Sequence, residues 1–224
     1  KKTNLDAVFS YYDGFMDDCA LGKVLIKEAK DAGVEFHEQT YIEKIKDTGE
    51  VTFSEKSIEN ETIYSKYDLI INATGPWAID LLKRSNLKTN YNLDLIRGSH
   101  ILVDKTIDHG YILEIPNSKR IFFVLPHNES MLIGTTEVKQ EINEEVVISH
   151  DELKDLISAY NRYFHHEITE ADILDSYSGL RPIVSSENDP TSASREFTIE
   201  INNKILNIFG GKWTTSRLLA SKLG

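Results

Sequence analysis

The sequence predicts an α/β (α+β) chain in two parts: a sheet-and-helix layer from residues up to about 96 and from about 197 onward, and a mostly antiparallel sheet with one covering helix over about 97–196. Three observations carry this. Ile205 to Phe209 is an apolar run that ends at Gly210-Gly211, and Leu218, Leu219 and Leu223 follow at helical spacing, which reads as a buried strand, a tight turn and a helix. Leu69 to Ala73 repeats the pattern, with Gly75 as a sharp exit and Pro76 at the first position of a helix running to about Arg84. Between them, Tyr91 to Thr136 breaks into short strands separated by turns.

In order along the chain, Ala7 to Tyr12 is an apolar and aromatic run ending at the turn pair Asp13-Gly14. Asp17 or Asp18 caps a helix from about Cys19 to Ala32, whose stripe is Leu21, Val24, Leu25 and Ala29 and whose C′ residue is Gly33. Strands are expected at Val34–Phe36, Tyr41–Ile45, Val51–Phe53 and Thr62–Tyr64, the last three forming a small antiparallel meander. The central strands are read as Leu93–Arg97, His100–Val103, Tyr111–Glu114, Arg120–Pro126 and Met131–Thr136. Ser149 and Glu152 form a capping box ahead of an amphipathic helix bearing Leu153, Leu156, Ile157, Tyr160 and Phe164. Ile173–Tyr177 is extended, Gly179–Pro182 turns, Ser185–Ser194 is a polar loop, and Phe197–Ile201 leads through an Asn202-Asn203 hairpin turn into the Ile205 strand.

The totals exclude several function classes. Among 224 residues, 36 acidic against 25 basic side chains give a net charge of −11, which argues against a nucleic-acid partner because phosphate backbones need a basic face. No run approaches the roughly 18 apolar residues of a membrane span. The single cysteine, Cys19, allows no internal disulfide, fits a reducing compartment and reads as part of a packed helix start. The opening Lys-Lys-Thr-Asn-Leu-Asp has no apolar core of a secretory signal and looks like a cut.

His100, Arg181, Arg195, Lys212 and Arg217 stand out as cationic or titratable residues at turns or strand ends. Arg181, before Pro182, sits where a guanidinium can be held for a phosphate or carboxylate, although an arginine in such a turn is most often structural. His100 reads either as a satisfied polar residue or as a proton acceptor. The other histidines show no spacing with carboxylates that suggests a metal site, and no Gly-x-Ser-x-Gly elbow supports a Ser/His/Asp hydrolase. Glu137 and Asp104 read as surface carboxylates. The turn after Phe209 presents a helix start at Thr214 or Thr215, where free N–H groups favour an anion, with Lys212 in the same crevice.

Asn-Ala-Thr-Gly-Pro-Trp-Ala at 72–78, Arg-Gly-Ser-His at 97–100, Ile-Gly-Thr-Thr-Glu at 133–137, Tyr-Ser-Gly-Leu-Arg-Pro at 177–182 and Phe-Gly-Gly-Lys-Trp-Thr-Thr-Ser-Arg at 209–217 occur in that order. Together they resemble the FAD-dependent glycerol-3-phosphate dehydrogenase family of bacteria and mitochondria. The resemblance runs through nearly the whole chain. It implies an incomplete FAD-binding domain of the glucose-inhibited/amino-acid-oxidase-like flavoprotein type, 1–96 with 197–224, and an antiparallel substrate-binding domain, 97–196. One departure stands out: such flavoproteins carry a Gly-x-Gly-x-x-Gly turn for the FAD pyrophosphate, and this sequence has none. The expectation is an internal piece, without an upstream nucleotide-binding segment and a downstream helical domain, that binds FAD poorly by itself.

The resemblance further implies oxidation of sn-glycerol 3-phosphate to dihydroxyacetone phosphate, with a hydride sent to flavin and electrons passed to membrane quinone. His100 is then the candidate base, Arg181 stands beside the substrate oxygen, and Arg181, Arg195 and Lys212 are the substrate-binding cations, with the division of phosphate binding and oxygen polarisation among the three left open. Lys212 is counted with His100 and Arg181 as catalytic, while Ala73, Thr74, Gly75, Gly210, Gly211, Thr214 and Thr215 are expected along the FAD. A cytoplasmic protein, peripheral on the inner face of the membrane and compatible with a homodimer, fits the same resemblance. No amphipathic basic helix encodes that membrane contact here. An oxidase using O2 and a non-catalytic binding module are the alternatives.

Overall fold

The computed structural model describes residues 7–55, 62–115, 118, 120–186, 189–194 and 196–224. In chain order the elements are α1 (Asp18–Asp31), β1 (Thr40–Ile45), β2 (Glu50–Glu55), β3 (Thr62–Lys66), β4 (Ile70–Asn72), α2 (Ala78–Arg84), β5 (Tyr91–Val103), β6 (Tyr111–Glu114), β7 (Ile121–His127), β8 (Ser130–Gly134), β9 (Val138–Lys139), α3 (His150–Tyr163), β10 (Ile173–Ser186), β11 (Asp189–Ser194), β12 (Thr198–Asn202), β13 (Ile205–Phe209) and α4 (Ser216–Ser221). They fall into two compact units, one of Phe9–Leu93 with Val184–Gly224, the other holding Asp94–Ile183.

In the first unit β1, β2 and β3 form the expected antiparallel meander. Its alternating side chains Ile45, Val51 and Phe53 pack with Ala78, Leu81 and Leu82 of α2 and with Ile205 and Phe209. A second sheet runs β12-β13-β4. β12 and β13 are an antiparallel hairpin whose turn residue Asn203 takes φ 53°, which asparagine tolerates. β13 and β4 pair in parallel, Ile205 opposite Ile70 and Asn207 opposite Asn72. Every residue of β13 is buried, the four apolar side chains as their pattern requires and Asn207 with them. β4 differs from the expectation: Leu69 and Ile71 are half exposed, so only one face of that strand is covered. The buried amides of Asn72 and Asn207 meet at 2.9 Å between the two parallel strands, Asn72 Nδ2 donating to Asn207 Oδ1, while Asn207 Nδ2 has no hydrogen-bond partner among the described residues.

Helix α1 begins where Asp17 Oδ1 accepts from the Ala20 N–H at 2.8 Å. It ends with Gly33 at φ +88°, the Gly33 N–H on the Lys30 carbonyl and the Val34 N–H on the Ala29 carbonyl, a closure that needs a left-handed residue. Two expectations fail here. No residue of α1 is buried and Cys19 is exposed, so the helix start is not packed. Val34–Phe36 is no strand, because the Schellman closure turns the chain off the helix and pairing begins only at Thr40.

In the second unit β8 lies between β5 and β7, and β6 pairs with β7, all antiparallel; β9 pairs with β5, and β10 neighbours it. Ile101, Val103, Phe122, Val124, Met131 and Ile133 form the core, closed by Leu156 and Tyr160 of α3. The helix starts with the predicted capping box between Ser149 and Glu152. The turns expected at Gly98 and at Gly179–Pro182 do not exist. β5 runs unbroken through Gly98 and β10 through Pro182. Pro182 keeps Arg181 out of the helical region and so favours extended chain, while Gly98 serves a close contact described below. The expected polar loop at Ser185–Ser194 contains β11, antiparallel to the end of β10 in the first unit. Met131–Thr136 is shorter than expected, since β8 stops at Gly134.

Candidate functional site

β5, β8 and β10 bring His100 and Arg181 together. His100 pairs in register with Gly134 of β8 and stacks on Tyr177 of β10, ring centroids 5.0 Å apart and planes 14° off parallel. Side chains alternate across a strand, so Tyr177, Gly179 and Arg181 of β10 share one face. The Arg181 guanidinium donates from Nη2 to Thr135 Oγ1 at 2.7 Å and from Nη1 to the Thr136 carbonyl at 3.4 Å. Burial and then the Arg181 charge lower the His100 pKa from 6.5 to about 4, and its Nδ1 is buried without a hydrogen-bond partner among the described residues. Among the described residues no carboxylate offsets the desolvation, so the ring is a neutral imidazole at physiological pH. A neutral imidazole next to a fixed guanidinium can accept a proton beside a developing negative charge.

Two glycines make room for this pair. A Cβ on Gly98 would fall 2.2 Å from Arg181 Nη2, and a Cβ on Gly134 would fall 2.2 Å from His100 Cδ2. Real Cβ atoms essentially never approach so closely, so each motif glycine is there for the side chain that lies over it. That explains two of the ordered motifs. In Arg-Gly-Ser-His the glycine seats Arg181, and in Ile-Gly-Thr-Thr-Glu the glycine seats His100 while the threonines hold the guanidinium. Glu137 pairs with Arg120 at 3.3 Å, partly exposed.

A buried carboxylate missed as a site residue lies nearby. Glu152 is 4% exposed and accepts from Ser99 Oγ, Thr136 Oγ1, Arg97 Nη2 and both the N–H and the hydroxyl of Ser149. Burial pushes its pKa up, but the hydrogen bonds from Thr136, Ser149, Arg97 and Ser99 outweigh it and hold the group at about 2. The capping-box spacing predicted the bond to Ser149. Nothing local predicted the other partners.

The first unit holds the remaining predicted residues. Parallel pairing puts the carboxyl ends of β4 and β13 at the same sheet edge, so the corner Ala73-Thr74-Gly75 and the corner Gly210-Gly211 open side by side. Ala73, Thr74, Gly211 and Thr214 are exposed. Gly75 (φ +57°) has nothing within 4 Å of a Cβ position, and Gly210 and Gly211 take φ +70° and +102°. The open backbone at Gly75 could take a flat, anionic cofactor across this edge, and a Cβ on Gly211 would stand 3.4 Å from Phe197 Cβ. The expected threonine cap is absent: Thr215 Oγ1 donates back to the Lys212 carbonyl at 3.1 Å, and α4 is only 6 residues, so its dipole adds little. Lys212 pairs with Glu196 at 2.9 Å, Arg217 is exposed, and Arg195 lies outside the described residues. Among the described residues no group of three or more His, Cys, Asp or Glu could hold a metal ion, and no helix is long and apolar enough to cross a membrane.

Residues 2–215 match the profile of the FAD dependent oxidoreductase (DAO) family. D-erythritol 1-phosphate dehydrogenase of Brucella abortus (strain 2308) is 31% identical over 96% of this chain and 45% of its own length. Aerobic glycerol-3-phosphate dehydrogenase of Escherichia coli (strain K12) is 38% identical over 67% of this chain and 32% of its own length. The chain thus spans less than half the length of these curated relatives. Among solved structures, glycerol-3-phosphate dehydrogenase from Bacillus halodurans complexed with FAD superposes with a TM-score of 0.79 at 23% identity, over 93% of this chain and 42% of that one. That likeness shows the fold.

Proposed function

The chain belongs to the FAD dependent oxidoreductase family, and from that premise we propose that the protein it represents oxidises sn-glycerol 3-phosphate to dihydroxyacetone phosphate and passes the electrons to quinone. The observation that carries this reading is the neutral His100 imidazole beside the Arg181 guanidinium, each seated over a glycine. Bound FAD supplies the acceptor for the hydride leaving C2. His100 takes the hydroxyl proton as the carbonyl forms, so one proton and one hydride leave the alcohol together. Arg181 offsets charge on that oxygen or holds the phosphate, and Arg195 and Lys212 are the further candidate cations that the family resemblance implies. Ala73, Thr74, Gly75, Gly210, Gly211, Thr214 and Thr215 line the cofactor. On this reading 1–96 with 197–224 is the cofactor part and 97–196 the substrate part. The chain has no Gly-x-Gly-x-x-Gly turn, so by itself it holds FAD weakly and is inactive. A cytoplasmic location with peripheral contact to the inner face of the membrane fits a quinone acceptor.

A second substrate is favoured by a specific observation: the Brucella relative that matches nearly the whole chain is named for D-erythritol 1-phosphate. Both candidates are a secondary alcohol on a phosphorylated polyol, and the same base and cations serve both. The test is steady-state kinetics of the FAD-loaded protein with each substrate, following quinone reduction and hydrogen peroxide in parallel. Arg181→Ala or Lys212→Ala lowers kcat/KM for glycerol 3-phosphate at least about tenfold, a loss of about 1.4 kcal/mol or more. Unchanged kinetics removes the substituted residue from the site, and peroxide release in place of quinone reduction makes the protein an oxidase.

A further inference from the structure

The site face of the sheet is fixed by groups on its other face. Along β5, Gly98 and His100 alternate with Arg97 and Ser99, and along β10 Tyr177 and Arg181 alternate with Ser178, so Ser99 and Ser178 lie behind the residues of the site. Behind the sheet these groups meet at one carboxylate. Glu152 Oε1 accepts from Ser99 Oγ at 2.9 Å and from Thr136 Oγ1 at 2.6 Å, and Ser99 Oγ also meets Ser178 Oγ at 2.8 Å. Thr136 Oγ1 accepts in turn from the Ser99 N–H at 2.9 Å. Glu152 Oε2 takes Arg97 Nη2 at 2.6 Å and the Ser149 N–H at 2.9 Å.

We infer that Glu152 is a positioning residue for the His100 and Arg181 pair, acting through Ser99, Ser178 and Thr136 rather than by touching substrate. Each of these three intermediaries either touches the pair or is the chain neighbour of a residue that does. Ser99 stands between Gly98, on which Arg181 rests, and His100. Ser178 adjoins Tyr177, the ring stacked on His100. The Thr136 carbonyl accepts from Arg181, and Thr135 beside it holds the other guanidinium nitrogen. One buried anion therefore ties α3 to the strands and the turn that carry the pair, and Arg97, 13% exposed at its side chain, balances its charge. A capping box alone needs only Ser149. The extra bonds from Ser99, Thr136 and Arg97 have a reason if the carboxylate sets the spacing between β5 and β10 at the site.

The inference rests on the proposed roles of His100 and Arg181 for its catalytic meaning, but its structural content can be read without substrate. The experiment compares Glu152→Gln, which keeps the shape and removes the charge, with Ser149→Ala, which weakens the helix cap and leaves Ser99 and Thr136 bonded to Glu152. The first readout is the imidazole titration of His100 by NMR in this chain. The second is kcat and KM of the FAD-loaded protein with glycerol 3-phosphate. Glu152→Gln is expected to loosen the strands that bury His100, so that water reaches the ring, and thereby to move its titration up by at least about one unit and lower kcat at least about tenfold, with Ser149→Ala moving the titration by less than about half a unit and kcat by less than about twofold. Should Glu152→Gln not fold, Ser99→Ala, which breaks the links through Ser99 and Ser178 and leaves Thr136 and Arg97 bonded to Glu152, is expected to move the titration in the same direction by a smaller amount. A titration that shifts as expected supports the positioning role even in a protein that does not oxidise glycerol 3-phosphate, a result that overturns only the substrate reading. Equal shifts in Glu152→Gln and Ser149→Ala, or none in Glu152→Gln or Ser99→Ala, overturn the inference.

Discussion

Helices α1 and α3 are each 14 residues long and each begin at a side chain that accepts from the first turn, Asp17 and Ser149, yet α3 buries Glu152, Leu156 and Tyr160 while α1 buries nothing. In α1, Val24, Leu25 and Ile26 remain 51%, 40% and 44% exposed. The difference separates two steps that sequence patterns merge. Caps and propensity make a helix, but only a matching apolar surface docks it. The α3 stripe meets Ile101, Phe122 and Ile133. The α1 stripe has the same period, yet Val24 and Leu25 stay exposed and Leu21 and Ala29 are only half-buried.

The largest test of that contrast is truncation of one leucine on each helix. Leu156→Ala removes a side chain only 2% exposed and is expected to cost about 2–5 kcal/mol. Leu25→Ala is expected to cost less than about 1 kcal/mol, as for a surface position. Urea denaturation of the chain with each substitution measures both. Equal losses would show that α1 is packed in solution.

A second contrast lies in the titrating groups. The unit of Asp94–Ile183 holds two groups with large shifts, Glu152 at about 2 and His100 at about 4. In the other unit the shifted pair Lys46 and Glu50 lies at the surface, its side chains 67% and 42% exposed. Glu152 is depressed from 4.5, so its contribution is complete above that value and is lost as pH falls toward about 2. His100 is depressed from 6.5, so the stability of its neutral ring is complete above pH 6.5 and is lost as pH falls toward about 4. Shifts of this size correspond to about 3 kcal/mol each. Between pH 7 and 4 the unit with α3 is therefore expected to weaken first. Both tryptophans, Trp77 and Trp213, belong to the other unit, so tryptophan fluorescence follows that unit while hydrogen exchange at Phe122 and Ile133 follows the unit with α3. His100→Asn is expected to flatten the response between pH 6.5 and 4. A response unchanged by that substitution would assign it to other groups.

What the sequence made legible follows the range of the interaction. Gly33 and the Ser149 to Glu152 spacing each state a local rule, and each was read correctly, whereas the hairpin turn read at Asn202-Asn203 lies one residue later, at Asn203-Lys204, because Asn202 still pairs with Ile205. Gly98 and Pro182 were read by the same local rules as turns. Both lie inside long strands, because the reason for Gly98 is Arg181, a residue far along the chain. Glu152 showed only half its role for the same reason: Ser99 is 53 residues away and Arg97 is 55. The ordered motifs marked the right stretches. Their geometry required tertiary contact.

Those glycines supply a third, smaller effect, and they contrast with Gly179 on β10. A Cβ at Gly98 or Gly134 meets Arg181 or His100, whereas at Gly179 it meets nothing within 4 Å. Gly98→Ala and Gly134→Ala are expected to lower kcat/KM of the FAD-loaded protein at least about tenfold, near 1.4 kcal/mol. At Gly98 the displaced atoms are the far end of the flexible Arg181 side chain, so folding survives, whereas at Gly134 they include His100 Cγ, and a melting curve of that variant separates a lost seat from lost folding. Gly179→Ala is expected to leave the kinetics unchanged. An equal loss at Gly179 would mean that the strand, not the seat it provides, limits activity.

The smallest effect returns to the two helix starts. Asp17 Oδ1 accepts one N–H from an exposed position, so Asp17→Ala is expected to cost about 0.5–1 kcal/mol. Ser149 accepts the Glu152 N–H at 3.2 Å and also donates to the Glu152 carboxylate at 2.9 Å, so Ser149→Ala is expected to cost about 1–2 kcal/mol. The two losses should differ in kind as well as size. Because α1 buries nothing, its cap holds only the helix, and the loss should appear as faster exchange of the Leu21 to Leu25 amides at an unchanged global midpoint. Because α3 closes the core over Ile101 and Phe122, the loss of its cap should lower the midpoint of the whole unit. A global shift from Asp17→Ala would place α1 among the packed elements after all.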